Sequence, residues 1–211
     1  MFIYIKMKRR LCLIIGVIFI VLITYVTFTY NRLNKIIKKD CIYLIFRGSD
    51  SKYGRVITEF NQYNRFENHV GVLVYQEKNW FVFHYIDTKL EGVFKEKLDL
   101  FITHKNITRY SIWKIEDFCY DQNPRTFLND KKFNTIKYDM DFSLNNNDLY
   151  CSEFVTLFLE DVDSIRFNFI PQKIKIGNIL GAFFGRDTLE YYPVDIFQTH
   201  PDIIKVYEWE R

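Results

Sequence analysis

Residues 11–30, LCLIIGVIFIVLITYVTFTY, carry no charged side chain, and Lys6, Lys8, Arg9 and Arg10 precede them. A helix of that length reaches about 30 Å, the thickness of a bilayer's hydrocarbon core, and satisfies its own backbone groups there. The front of the chain therefore reads as a basic N-terminal segment (1–10), a transmembrane anchor (11–30) and a basic juxtamembrane linker (31–40), which leaves 41–211 to fold in water. No small-residue cleavage site follows the apolar run, so the anchor is expected to stay uncleaved. Lys and Arg flank both ends, and their balance casts no clear vote on orientation. The short basic N-terminus of a first helix stays cytoplasmic as a rule, which predicts a single-pass protein with its domain outside the inner membrane.

The formal net charge of +3 hides an asymmetry. Residues 1–39 hold 8 of the 29 Lys and Arg and none of the 26 acids, so the remainder has 21 basic against 26 acidic residues, a net of −5. A mildly acidic domain lacks the basic face that phosphate binding needs, which excludes nucleic acid as a partner. Cys41, Cys119 and Cys151 have no C-x-x-C spacing, and Asp139 and Asp141 in YDMDFS have no further ligand nearby, so neither a metal nor a cofactor is expected. Outside the cytoplasm Cys41 and Cys119 could pair, although nothing in their spacing demands it.

Past residue 40 the texture is that of short strands: CIYLIF, NHVGVLVY, WFVFHYI and ITRYSIWKI, each rich in β-branched and aromatic residues. SKYGRVITEFNQYNRF reads as a helix with Val56, Phe60 and Tyr63 at helical spacing, and NPRTFLNDKKFNTIK as one with Pro124 at its first position. The stretch DSIRFNFIPQKIKIGNILGAFFGRDTLEYY predicts loop and irregular structure; a short helix after Pro193 and a last strand close the chain. Antiparallel strands with segregated helices give an α+β fold. There is no repeat and no glycine-rich phosphate loop.

Two features carry chemistry. NNNDLYCSEFVTLFLEDV, residues 145–162, puts Cys151 in the first turn of an amphipathic helix, with Asp148 placed to cap it. A helix N-terminus favours a thiolate, yet Phe154, Val155, Leu157 and Phe158 form an apolar face on which a cysteine can equally be inert packing. The second feature is the pair of histidines. With the QEKN turn centred on Glu77 and Lys78, HVGVLVY and WFVFHYI form a hairpin in which Tyr75 faces Trp80 and His84 faces Gly71. His69 then projects from the same face one diagonal step away, within reach of His84. Such a pair supplies a base and the group that orients it. A register slip of one residue would separate them. His104 and His200 lie among turn residues and read as surface positions; Glu153 points away from Cys151 and reads as ordering the helix start or a neighbouring loop.

With those residues in view, YDMDFSLNNNDLYCSEFV together with the upstream NHVGVLV resembles the permuted papain-like amidases of the YiiX/YebB type, a branch of the NlpC-related cysteine hydrolases. LIFRGSDSKYGRVI is similar to that family's opening strand and serine-containing loop, and YPVDIFQTHPDIIKV to its closing helix. The resemblance implies a circularly permuted papain-like fold with the cysteine helix packed on an antiparallel sheet. It also implies Cys151 as nucleophile, His69 as general base, and His84 at the third position, where permuted relatives commonly have Glu. The chain has CIYLIF where the family tends to have Gly-Asp before its apolar run.

The function expected is therefore a membrane-anchored thiol hydrolase acting on an amide or ester, with the Cys151 backbone N–H meeting the oxyanion. A cell-wall peptide amide is the leading substrate class. A lipid acyl hydrolase or acyltransferase and a catalytically silent binding module are the alternatives.

Overall fold

The computed structural model describes residues 15–17, 33, 35–86, 92–119 and 124–211. The chain divides into two compact units, Met1–Lys38 and Lys39–Arg211. The predicted anchor lies outside the described residues except for Ile15–Val17. Among the described residues no helix is long and apolar enough to cross a membrane.

In the second unit, six strands form one antiparallel sheet in the order β4-β3-β2-β1-β5-β8. They are β1 (Cys41–Ser49), β2 (His69–Gln76), β3 (Asn79–His84), β4 (Phe94–Lys97), β5 (Ile107–Cys119) and β8 (Ile203–Glu210). The central strand β1 is buried almost end to end, which explains its unbroken apolar CIYLIF. β2 and β3 form the predicted hairpin with Tyr75 opposite Trp80. Glu77 and Lys78 both have positive φ, 52° and 64°, the conformation of a two-residue turn whose twist matches that of the strands. Cys41 is opposite Cys119 across β1 and β5, and the Cys119 side chain lies outside the described residues.

The helices are α1 (Lys52–Phe60), α2 (Leu98–Thr103), α3 (Pro124–Leu128), α4 (Cys151–Asp163) and α5 (Asn178–Phe184). α4 packs on β2 and β3. Its Phe154, fully buried, has ring centroids 5.4 Å from Tyr85, 5.6 Å from Phe133 and 5.9 Å from Phe127. Aromatic contacts of this kind add to the burial of large rings and make α4 the centre of the core.

Four sequence readings change. The helix read over residues 123–137 is broken: α3 stops at Leu128, and a separate 3-10 turn, Lys131–Asn134, starts at Asp130, whose side chain accepts the Lys132 N–H at 2.9 Å. α1 ends at Phe60 and buries Gly54, Ile57 and Phe60 rather than Val56, Phe60 and Tyr63. Tertiary contacts capture the chain there: the buried Asp195 carboxylate accepts the N–H groups of Gln62 (3.2 Å), Tyr63 (2.5 Å) and Asn64 (2.7 Å), and Tyr63 is left exposed. The stretch expected to be irregular holds a second, two-stranded sheet of β6 (Gln172–Lys175) and β7 (Thr188–Tyr191), with α5 between them. Four-residue strands and a seven-residue helix are too short to impress a period on the sequence. Gly185, in the left-handed conformation at φ 64°, ends α5. Finally, His200 is half-buried rather than a bare surface residue: its Nε2 lies 3.0 Å from the Arg166 carbonyl, and its Nδ1 accepts from the Asp202 N–H at 3.2 Å.

Candidate active site

α4 begins at Cys151, so the cysteine is the first helical residue and its N–H is one of those a helix leaves without an internal partner. The expected Asp148 cap is absent. Tyr150 is the N-cap and uses no side-chain oxygen, while Asp148 lies before the helix with its N–H donating to Asn146 Oδ1 at 2.9 Å. The Tyr150 N–H instead faces the Glu153 carboxyl and favours its anion, the arrangement of a capping box with Glu at the third helical position. Glu153 thus does order the helix start.

Two further ties hold that first turn. Ser152 Oγ donates to the Tyr192 carbonyl at 2.7 Å and the Tyr192 N–H donates to the Tyr150 hydroxyl at 2.7 Å, so the segment after β7 clamps the turn from both sides. Ahead of the helix, Asp139 is buried and accepts the N–H groups of Asp141 (2.8 Å) and Ser143 (2.6 Å), and Tyr138 bridges to Leu149. The acids of YDMDFS therefore shape the loop that delivers Cys151. Among the described residues no group of three His, Cys, Asp or Glu is placed to hold a metal ion.

The histidines meet. His69 opens β2 and His84 closes β3, and 2.7 Å separates His69 Nε2 from His84 Nδ1. Gly71 is what permits this approach. A Cβ there would lie 2.8 Å from Val82 Cγ1 and 3.0 Å from His84 Cβ, closer than packed atoms tolerate. The N–H groups of Val70, one residue past His69, and of Ser152 face the Cys151 sulfur and favour its anion, as does the Ser152 hydroxyl. The thiol thus lies beside the start of β2. Among the described residues, no hydrogen bond joins the sulfur directly to an imidazole.

Two residues that the sequence reading passed over complete the cluster. Glu96 on β4 brings Oε1 to 3.0 Å from His84 Nε2, although the imidazole N–H points off the carboxylate and makes no well-aligned bond. Arg47 on β1 is the register partner of His69; its guanidinium lies 3.7 Å from Glu96, donates to the Phe101 carbonyl at 3.1 Å and stacks 4.1 Å from the Phe101 ring. β4 and α2 carry Glu96 and Phe101, and neither element was expected. FKEK lacks alternation, and no cue local to the sequence marks it as a strand beside a hairpin. Arg47 stood in the quoted opening strand without an assigned part.

Electrostatics follow from burial. His84 is fully enclosed and pushed down to about 4; Arg47 lowers it further and Glu96 opposes both. His69 is held well below the ordinary imidazole range by burial, then by Arg47 and His84. Burial raises Cys151 to about 11, against nearby N–H groups and the Ser152 hydroxyl, which favour its anion. Glu96 stays below the usual carboxylate range: burial alone would raise it, but His84, Arg47 and His104 outweigh that. A cleft of about 410 Å³ opens onto His69 and Arg47, with Ser49, Asn68, Tyr138 and His104 around it. His104 is exposed, as expected, but at the rim of this cleft.

No curated protein matches the sequence. Among solved structures, the fold resembles the crystal structure of the metalloprotein YiiX from Escherichia coli O157:H7, with a TM-score of 0.62 at 18% identity over 83% of this chain and 100% of that one. That likeness bears on the fold alone. The profile of the permuted papain-like amidase enzymes, YaeF/YiiX, C92 family, matches residues 44–172, a span that includes His69, His84 and Cys151. The chain belongs to this family of permuted papain-like cysteine amidases.

Proposed function

We propose that this enzyme cleaves an amide or ester by acyl transfer to Cys151, with His69 as general base and His84 orienting it. The observation that carries the reading is the 2.7 Å contact between the two imidazoles, beside the strand start whose Val70 N–H faces the sulfur. Protonation states can be chained along it. An ionised Glu96 favours the proton of neutral His84 on Nε2; His84 Nδ1 is then an acceptor, and His69 must donate from Nε2. That leaves the lone pair of His69 on Nδ1, free to take the thiol proton.

In the first half-reaction His69 Nδ1 accepts that proton as the thiolate attacks the carbonyl carbon, and the oxyanion is met by the N–H of Cys151. The C–N or C–O bond breaks, the leaving group takes the proton from His69, and a thioester remains. Water then attacks with its proton passing to His69, the C–S bond breaks, and the sulfur recovers the proton as the acid departs.

The apolar, basic-flanked front of the chain supports placing this chemistry at a membrane facing outward, where peptide amides of a cell-wall polymer rank first. Lipid acyl groups are the second reading. The test is to incubate the purified chain and its Cys151→Ala variant with cell wall and with lipid extract, and to identify released products by mass spectrometry. New amino and carboxyl termini from the wall support the first reading, and free acyl chains the second. Equal release by the Cys151→Ala protein refutes the nucleophile, and no release from either points to the silent module.

A further inference from the structure

A second cleft, of about 550 Å³, lies against a different side of α4. Glu153, Leu157 and Glu160 recur at positions i, i+4 and i+7 and so share one stripe of the helix, while Glu153, two residues beyond Cys151, is turned about 200° from it. Facing the stripe are Phe127, Phe133, Ile136 and Leu149, which make one wall apolar. Among the described residues three acids, Glu153, Glu160 and Asp161, line the cleft against a single base, Lys132. Lys132 is itself engaged, 3.4 Å from Asp130 and 4.8 Å over the Phe133 ring.

One atom in this cleft calls for a partner. Glu153 is 9% exposed, and its Oε2 is buried with no hydrogen-bond partner among the described residues. A buried carboxyl oxygen left unpaired is costly, and an arriving cation or donor removes the cost. The surroundings narrow what arrives. An anion would meet three carboxyl groups, and a metal ion would find no converging ligand set among the described residues. A neutral hydrocarbon would leave Glu153 as it is.

We propose that this cleft binds an amphipathic primary amine, with the ammonium against Glu153 and Glu160 and the hydrocarbon between Phe127, Phe133 and Ile136. The site is separate from the Cys151–His69 cleft and does not depend on the reaction assigned there.

The test uses the purified full chain at pH 8.5, where Glu153, with a pKa of about 8, is mostly ionised and butylammonium keeps its charge, with butanol as the uncharged counterpart, followed by amide chemical shifts during titration. Butylammonium is expected to bind at least tenfold more tightly than butanol and to move the signals of Ile136, Leu157 and Glu160. Glu153→Gln keeps an acceptor for the Tyr150 N–H and is expected to erase that preference. Glu160→Gln, at a half-exposed position, is expected to weaken butylammonium severalfold in a chain of unchanged melting temperature. Equal binding of butanol, or of butylammonium to both variants, overturns the proposal: the cleft is then apolar only and its carboxyl is hydrated. Shifts confined to residues around His69 overturn it as well.

Discussion

Replacing Glu96 by Gln separates the charge of the cluster from its shape. In the intact site the carboxylate lies 3.0 Å from His84 Nε2, and the His84 ring centroid is 4.9 Å from that of His69. Taken in series, these contacts put a proton arriving on His69 roughly 8 Å from the carboxylate charge. At an effective dielectric constant of ~20, that charge stabilises the imidazolium by about 2 kcal/mol. Its loss is worth roughly thirtyfold in rate if the imidazolium is fully formed in the transition state.

A second effect adds to this. The Gln side chain can present its NH₂ to His84 Nε2, and each neutral ring then reverses: His84 donates from Nδ1, His69 accepts at Nε2, and His69 Nδ1 carries a proton where it needs a lone pair. Two measurements on the same protein check the reasoning. kcat/KM on an ester that the parent enzyme cleaves is expected to fall thirtyfold or more. The ring-nitrogen shifts of ¹⁵N-histidine-labelled protein are expected to move His69 from the Nε2-protonated to the Nδ1-protonated form. A rate within threefold of the parent, with both tautomers unchanged, refutes the chain of protonation states. A fall in rate with unchanged tautomers leaves only the charge effect.

Other outcomes follow from the same geometry. His69→Ala is expected to lower kcat/KM by about 10²–10⁴, read on the same ester, because it removes the base. Gly71→Ala forces the new Cβ against Val82 and His84, and is expected to reduce kcat/KM by a larger factor than its modest loss of melting temperature accounts for. Phe154→Ala, at the fully buried centre of α4, is expected to cost about 3–5 kcal/mol in chemical denaturation. Two buried groups tilt the pH–stability profile in opposite directions. The folded pKa of His84 lies at about 4, below its unfolded value, so stability present above about 6.5 is lost as pH falls toward 4. The folded pKa of Glu153 is about 8, raised by burial and Asp139, so stability present below its unfolded value of about 4.3 is lost as pH rises through 8. Between about pH 4.3 and 6.5 the two slopes oppose each other, so Glu153→Gln is expected to steepen the rise of melting temperature there and to remove the decline between 6.5 and 8, and His84→Gln to remove the rise between 4 and 6.5.

What the sequence disclosed about the site depended on how local each signal was. The hairpin was legible because two runs rich in β-branched and aromatic residues flank a polar turn, and the register of Tyr75 on Trp80 then carries His69 and His84 to one face. Cys151 was legible as a helix-start residue, although the cap was misassigned: Glu153 reaches back to the Tyr150 N–H, and Asp148 stays outside the helix. Glu96 and Arg47 were not legible as a pair, since they are brought together by strands on opposite sides of the β2–β3 hairpin and by nothing in their own neighbourhoods. The end of α1 at Phe60 was hidden for the same reason, because Asp195 far along the chain takes the amides that would have continued it. Period and turn chemistry reach a few residues, whereas these contacts depend on which strand lies next to which.

The opposed shifts of thiol and imidazole bear on how the enzyme must work. A resting thiolate–imidazolium pair requires the cysteine to be the stronger acid, yet burial lifts Cys151 to about 11 and drives His69 far below its ordinary range. The proton therefore rests on sulfur, and both imidazoles are neutral. In the proposed reaction His69 then serves as a base only as the carbonyl is attacked, when negative charge passes from sulfur to an oxygen that the helix N-terminus can hold. Such a site should alkylate slowly with iodoacetamide at neutral pH, with a rate that climbs toward pH 11, while still cleaving an ester at pH 7. Rapid alkylation at pH 6 would mean that a thiolate is already present, and the neutral-pair reasoning would fail. If Cys151 is the nucleophile as proposed, its 3% exposure shields it from adventitious reagents and confines its activation to a substrate that reaches the proposed oxyanion donors.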